Sequence, residues 1–400
     1  MAREVWITGI GLASSLGEGP DAHWAAMAQA EHPTPNVDLA FTPPFGIHPM
    51  VPLDLDRLIP KRDQRQMEPW QRLGTYAAGL ALADAGIAGN LDILGRTHAV
   101  IAADGGERDV PTDSAILAGL GSAATPAAFL NERLSNDLRP TLFLAQLPNL
   151  LAGNISIVHK VTGSSRTFMG EEIAGASATE IAWRRIGAGQ GDIFLVGGAC
   201  SAERKDSILN CALGGALWAD DYLPVWERAA KGGGAMLGSA GAFLVLEARE
   251  HAEARGAKPY ARLLQVHTDQ SRRRPGDVTA KLSRQFDAIA PVGGKPVSVL
   301  SAATGLPAAT SEERDVLAGL IASGRVDRVR GVASMLGAAT SAAFPAAAAL
   351  AALALARNGF YQPLDATGFE APSTAPAERI AVTAVGIWRG ESSALLAVVE

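Results

Sequence analysis

Only two cysteines, Cys200 and Cys211, occur in the 400 residues, too few to staple a chain of this length with disulfides. Both are expected to be reduced. Cys200 follows the apolar run IFLVGG and has no histidine beside it in sequence, so it reads as a packed thiol outside any catalytic turn. A long apolar run is also missing. The longest, Ala342 to Ala356, contains Pro345 and falls short of the roughly 20 residues that span a bilayer, so a buried helix is expected there. The start, MAREVWITG, goes directly into a strand without the apolar core and small-residue cleavage site of a secretory leader, and a cytoplasmic location is expected. Basic residues are not in excess: a net charge of −6 and the lack of a long Lys/Arg run argue against nucleic acid as a partner.

Cofactor signatures are absent too. The seven histidines, His23, His32, His48, His98, His159, His251 and His267, show no His-Glu-x-x-His spacing, so no metal site is expected. The run Thr8-Gly9-Ile10-Gly11 follows a strand but lacks the full G-x-G-x-x-G and an acidic ribose ligand, which favours close backbone packing over dinucleotide binding. Gly232-Gly233-Gly234 is not followed by Lys-Ser or Lys-Thr and reads as a loop rather than a phosphate cradle. No cofactor is expected.

What is present is a globular composition, 48% hydrophobic over 400 residues, enough for a large core in two domains or two fused halves. Strands alternate with helices in an α/β pattern: VWITGI, a helix from Trp70 to Ala85, HAVIAA, a helix after Glu172, IFLVGG and GAFLVLE. After a link near Glu253 the pattern begins again: RLLQVH, VSVLSAAT, a helix from Glu312, RVRGVAS, a helix from Pro345 to Arg357, then IAVTAVGIW and SALLAVVE. The boundary is placed between residues 1–253 and 254–400. Small residues at Ala174 to Ala178 and Ala346 to Ala351 predict central helices that other elements approach closely, and Pro345 suits the first turn of its helix. Pro-rich sequence from Glu31 to Pro60 and the stretch from Gly105 to Thr125 predict surface excursions.

The most informative segment runs from Gly163 to Cys200. It places two adjacent carboxylates, Glu171 and Glu172, at a strand-to-helix turn, where backbone N–H donors at a helix start would surround an exposed nucleophile. The position carries an acid instead.

With VWITGIGLASSLGEGPDAHW, IPKRDQRQME, GSAGAFLVLEAREHAEARGAKPYA and ASMLGAATSAA in the same order along the chain, this segment resembles the β-ketoacyl synthases. These are the condensing enzymes of fatty acid and polyketide assembly. The resemblance implies a thiolase-like five-layered α/β fold of two pseudo-symmetric halves with central buried helices. Counting back from Gly189 and Asp192, the family's catalytic cysteine falls on Glu172. The His-Gly-Thr-Gly-Thr-Pro motif corresponds to Ala302-Ala303-Thr304-Gly305-Leu306-Pro307, and Lys-Ser-Met-x-Gly-His to Ala333-Ser334-Met335-Leu336-Gly337-Ala338. Both histidine positions, Ala302 and Ala338, and the lysine position, Ala333, are therefore alanine. The oxyanion-hole and gating loop Asn-Ser-Phe-Gly-Phe-Gly-Gly reads Thr383-Ala384-Val385-Gly386-Ile387-Trp388-Arg389. Trp388 and Arg389 are expected to fill or cover the route by which an acyl thioester would enter; outward packing is the alternative.

The resemblance thus implies a scaffold without condensing residues. Expected pocket or gating residues are Glu171, Glu172, Thr304, Ile387, Trp388 and Arg389. The leading expectation is a chain-length-factor-like subunit, paired with an active ketosynthase or with itself, that shapes its partner's acyl tunnel. Two alternatives stand beside it: a malonyl-acyl carrier protein decarboxylase or thioester hydrolase using Glu172, and a binder of acyl carrier protein or of acyl chains. Glu172 also has a structural role open to it, as an anion satisfying the helix N-terminus. Lys61, Arg62 and Arg65 match the region that docks the acidic carrier protein; they fit equally a solvated helix face neutralised by Asp63 and Glu68.

Overall fold

A strand buried along its whole length, β1 (Val5–Ser14), runs through the centre of a mixed sheet of 11 strands. The computed structural model describes residues 2–140 and 142–399. The other strands on the sheet's main path are β2 (His98–Ala103), β3 (Ser165–Phe168), β4 (Ile193–Cys200), β5 (Ala240–Ala248), β6 (Ala261–Asp269), β7 (Val297–Ser301), β8 (Val326–Gly331), β9 (Arg379–Val385) and β10 (Glu391–Ala397). Their order is β3-β2-β4-β5-β1-β6-β10-β9-β7-β8.

The two sides of this sheet repeat one ladder. From β1 outward, β5 and β4 pair antiparallel and β4, β2 and β3 run parallel. From β6 outward, β10 and β9 pair antiparallel and β9, β7 and β8 run parallel. The repeats meet in an antiparallel β1–β6 pair at Trp6–Arg262 and Ile7–Ala261.

Seven helices matter for the layers: α1 (Pro69–Asp84), α2 (Leu150–His159), α3 (Glu172–Gly187), α4 (Lys205–Leu213), α5 (Asp277–Ile289), α6 (Pro307–Ala322) and α7 (Thr340–Ala356). Helices α1 and α2 pack over the first repeat with Ile101, Leu195 and Val245, and α5 and α6 over the second with Val297, Val299 and Leu395. Between the two repeats, α3 and α7 touch each other and strands of both. The result is five layers, the thiolase-like arrangement. Helix α7 is buried continuously from Ser341 to Leu355, as its all-round apolar sequence requires.

Small residues let these layers close up. A Cβ on Gly11 would stand 1.9 Å from the Ala77 carbonyl oxygen, and one on Gly9 2.5 Å from that of Ala81, so the Thr8–Gly11 run is where α1 lies on β1. A Cβ on Gly175 of α3 would stand 2.6 Å from Cδ of Pro345 on α7.

Three element boundaries differ from those expected. Pro345 lies inside α7 rather than in its first turn. It has no N–H to give the Ser341 carbonyl one turn back, and that oxygen instead faces Gly175 and Gly198, whose Cβ atoms would come within 2.7 and 2.9 Å of it. Helix α6 starts at Pro307, ahead of Glu312, because proline with its preset φ serves as a first-turn residue. The run RVRGVAS leaves the sheet at Gly331 and turns into a short helix, Ala333–Leu336, where the Ser334 hydroxyl accepts the Val225 N–H.

Candidate functional site

Strand β3 delivers the chain to a sharp turn before α3. Gly170 has φ 137° and Glu171 φ 57°, a backbone state that L side chains occupy only under strain, and the helix begins at Glu172. The turn drives the Glu172 side chain inward, where it is 1% exposed. Among the described residues, neither of its carboxylate oxygens has a hydrogen-bond partner; the backbone N–H groups of Glu172 and Ile387 lie close enough to favour its charge without reaching bonding geometry. Burial dominates and pushes its pKa up to about 7, with Glu171 and Asp104 adding to the rise. Only glycine fits at 386, since a Cβ there would lie 2.8 Å from Glu172 Oε2 and 2.2 Å from the Arg389 carbonyl oxygen.

Glu172 opens into a cavity of about 400 Å³. Of the residues expected around it, Glu171, Glu172, Ile387, Trp388 and Arg389 all line the wall, as does Ala338. Ala302 and Ala333 are buried away from it. Thr304 is off the wall too, a correction to the expected set: its hydroxyl accepts the Leu306 N–H at 3.4 Å and organises the turn into α6.

Trp388 covers the cavity rather than filling it. The residue is 42% exposed and its indole lies over Gly214, where a Cβ would be 2.2 Å from the ring. Arg389 reaches back to Glu171 at 3.7 Å. The loop carrying them is pinned by Arg273, whose guanidinium donates to the Gly386 carbonyl at 2.7 Å and that of Gly390 at 3.2 Å.

Two wall residues were not anticipated as such. Asp104 follows β2 directly; its Oδ2 accepts from the Thr340 hydroxyl at 2.5 Å and from Ser341 at 3.2 Å, while Oδ1 is buried with no hydrogen-bond partner among the described residues. Burial raises its pKa. The available signal was its position, a carboxylate at the C-terminal end of a parallel strand, where α/β sheets place their ligands. Cys200 is packed as expected, its sulfur donating to the Gly238 carbonyl at 3.2 Å, yet it also lines this cavity. Burial pushes its thiol up to about 12 and that of Cys211 to about 11, so neither supplies a thiolate at neutral pH.

Lys61, Arg62 and Arg65 are exposed at and just after a short helix, Lys61–Gln64. Lys61 pairs with Asp56 at 3.0 Å and Arg62 with Asp63 at 3.4 Å. Glu68, expected to neutralise them, is instead bound to Arg139 at 2.9 Å and caps α1. Among the described residues no group of His, Cys, Asp or Glu is disposed to hold a metal ion. No helix among them is long and apolar enough to cross a membrane.

Residues 2–252 match the N-terminal domain of the β-ketoacyl synthases. The chain belongs to that family. It is 28% identical over 277 residues to 3-oxoacyl-[acyl-carrier-protein] synthase 2 of Rhizobium meliloti (strain 1021), a match covering 66% of this chain and 63% of the relative. With the enzyme of the same name from Vibrio cholerae serotype O1 it shares 26% identity over 270 residues, 66% of this chain and 62% of the relative. The matched stretch therefore spans under two thirds of these relatives' length.

Solved structures agree over the whole chain. A β-ketoacyl synthase from Burkholderia phymatum STM815 superposes with a TM-score of 0.80 at 20% identity, and the ishigamide ketosynthase/chain length factor with 0.78 at 21%, each covering 100% of both chains. At these identities the likeness establishes the thiolase-like fold of this β-ketoacyl synthase relative.

Proposed function

We propose that this protein, with residues 1–253 and 254–400 as its two halves, is a non-condensing subunit of fatty acid or polyketide-type synthesis in the cytoplasm. It pairs with an active ketosynthase and shapes that partner's acyl tunnel. The observation that carries this is Glu172. At the family's nucleophile position stands a buried carboxylate, facing the backbone N–H groups of Glu172 and Ile387. Donors placed to stabilise an oxyanion here meet a permanent acid. With alanine at 302, 333 and 338, the thiolate, both imidazoles and the ammonium of condensation have no counterpart.

A free edge supports the partner. Among the described residues, strand β3 ends the sheet with no further strand on its outer side, and Met169 just after it and Ile157 on the adjoining α2 are each 60% exposed. Open edges and clustered apolar side chains are surfaces that proteins cover by association. Lys61, Arg62 and Arg65 remain the proposed contact for an acyl carrier protein.

Co-expression with a cysteine-bearing synthase should give a 1:1 complex that makes product, while the isolated chain makes none. Acyl elongation by the pure chain alone would overturn the proposal. One observation favours a second function: a carboxyl held near neutrality is poised for proton transfer. In that case the purified protein releases carbon dioxide from malonyl-carrier protein, or free acyl chains from thioesters, and Glu172→Ala abolishes the release.

A further inference from the structure

The charges on the cavity wall do not cancel. Its cations are already engaged: Arg204 forks onto Asp206 and donates to the Gly105 and Gly106 carbonyls, Arg108 forks onto Asp113, and Arg389 faces Glu171. Behind the loop, Arg273 is held by the Gly386 and Gly390 carbonyls and by Glu391. Two carboxylates are left over. Among the described residues, Glu172 has no hydrogen-bond partner for either oxygen and Asp104 none for one, all buried, on the wall of a cavity of about 400 Å³; Glu171 Oε2 is likewise buried without a hydrogen bond but faces Arg389 at 3.7 Å. Buried acceptors left unpartnered are costly unless something fills the site. Part of the wall is apolar or aromatic, Met169, Leu237, Ile387 and Trp388, beside the polar Ser201, Ser207, Asn210 and Thr340; that part suits a hydrocarbon body and offers a ring face to a cation.

We propose that this cavity binds a small primary ammonium ion carrying an apolar tail, its N–H groups donating to Glu172 and Asp104. An ammonium supplies three donors and no acceptor, matching the three of these oxygens that no arginine on the wall faces. An acyl carboxylate would meet like charge, and a neutral alcohol would leave the carboxylates uncompensated. The inference goes beyond the partner-subunit function and does not depend on it.

The test uses the purified full chain and hexylammonium as probe, with hexanol and hexanoate as tail-matched controls. Calorimetric titration at about pH 8 keeps the amine protonated, as for a lysine side chain. Hexylammonium is expected to bind at least about tenfold more tightly than either control, the scale of one charge-assisted hydrogen bond. Glu172→Gln, which removes a buried charge without changing shape, should weaken it by about tenfold or more. Asp104→Asn provides the same readout at the second carboxylate if the first variant does not fold. Equal binding of hexanol or hexanoate, unchanged amine affinity in the folded variants, or no binding of the amine would overturn the proposal. None of these outcomes bears on whether a ketosynthase partner is bound.

Discussion

Replacing Glu172 by glutamine should make the protein more stable above neutrality and leave it unchanged in acid. The reasoning is a proton balance. In the unfolded chain this carboxyl titrates near 4.5, whereas in the fold burial, with Glu171 and Asp104 nearby, holds it up at about 7. Between those values the native state keeps a proton that the unfolded state has released, so stability falls as pH rises through that window and levels off above it. The difference corresponds to roughly 3 kcal/mol. Glutamine is neutral throughout and has nearly the same shape, so the variant lacks this slope.

The expected result is therefore a gap that opens with pH: near zero at about pH 4 and roughly 3 kcal/mol in favour of Glu172→Gln at about pH 8. For a chain of this length the unfolding entropy turns that into a melting shift of about 4 °C. Scanning calorimetry of both proteins across the range measures it. Glu370 and Glu107, also held near 7 by burial, titrate in both proteins and cancel in the difference. Asp104 and Glu171 face the lost charge directly, and relief of their repulsion acts in the same direction. A gap that stays flat with pH, or a wild type more stable above neutrality, would refute the assignment of Glu172 as an uncompensated buried acid.

Three further outcomes follow from the geometry. Gly11→Ala should lower the melting temperature by the equivalent of about 1–3 kcal/mol, since its methyl would overlap the Ala77 carbonyl; Gly153→Ala in α2, whose nearest neighbour would be 3.9 Å away, should leave stability equal or raise it by up to about 1 kcal/mol. Glu247→Gln should cost about 3–5 kcal/mol in urea titrations at neutral pH, because the buried carboxylate is bound by Arg255, His251 and Thr8 and held down to about 2. As stability from a depressed carboxyl is present above its unfolded value and lost below, that gap should shrink as pH falls from 4.5 towards 2. Trp388→Gly should speed labelling of Cys211 by a thiol reagent severalfold with an unchanged far-ultraviolet spectrum, since the indole covers the cavity that Cys211 lines; an unchanged labelling rate would show that it is not the lid.

Most of the ladder of strands was legible because nearly all are short apolar runs between turn residues, the polar edge strand Ser165–Phe168 being the exception, and the repeat showed because both runs of elements end in closing strands of the same kind. Close packing at Gly9 and Gly11 was legible from what the motif lacked. The helix boundaries were less so. Pro345 pointed to a first turn, and only the packing of α7 on α3 shows why a proline is tolerated inside: the carbonyl it leaves without a donor sits against Gly175 and Gly198, two positions with no side chain to clash.

The site divides along the same line. Glu171, Glu172 and the 387–389 loop could be placed because motif spacing carries them, each held by backbone that the neighbouring residues dictate. Asp104 could not, because its meaning comes from Thr340, 236 positions away, and no local pattern marks a carboxylate as lacking a partner. Thr304 failed for the converse reason. Thr304, Gly305 and Pro307 keep the local pattern that pointed to the cavity, but the Thr304 hydroxyl serves the turn into α6 instead. A cavity wall whose only task were to fill space would be expected to be apolar, as it is at Ala338. Two buried carboxylates in the same wall oppose that trend at a cost of kilocalories in stability. That cost argues that the wall is shaped for something bound to it, which the amine titration and the pH dependence of Glu172→Gln address independently: a bound ammonium should lower the Glu172 pKa and flatten the wild-type slope, whereas hexanol should leave it unchanged.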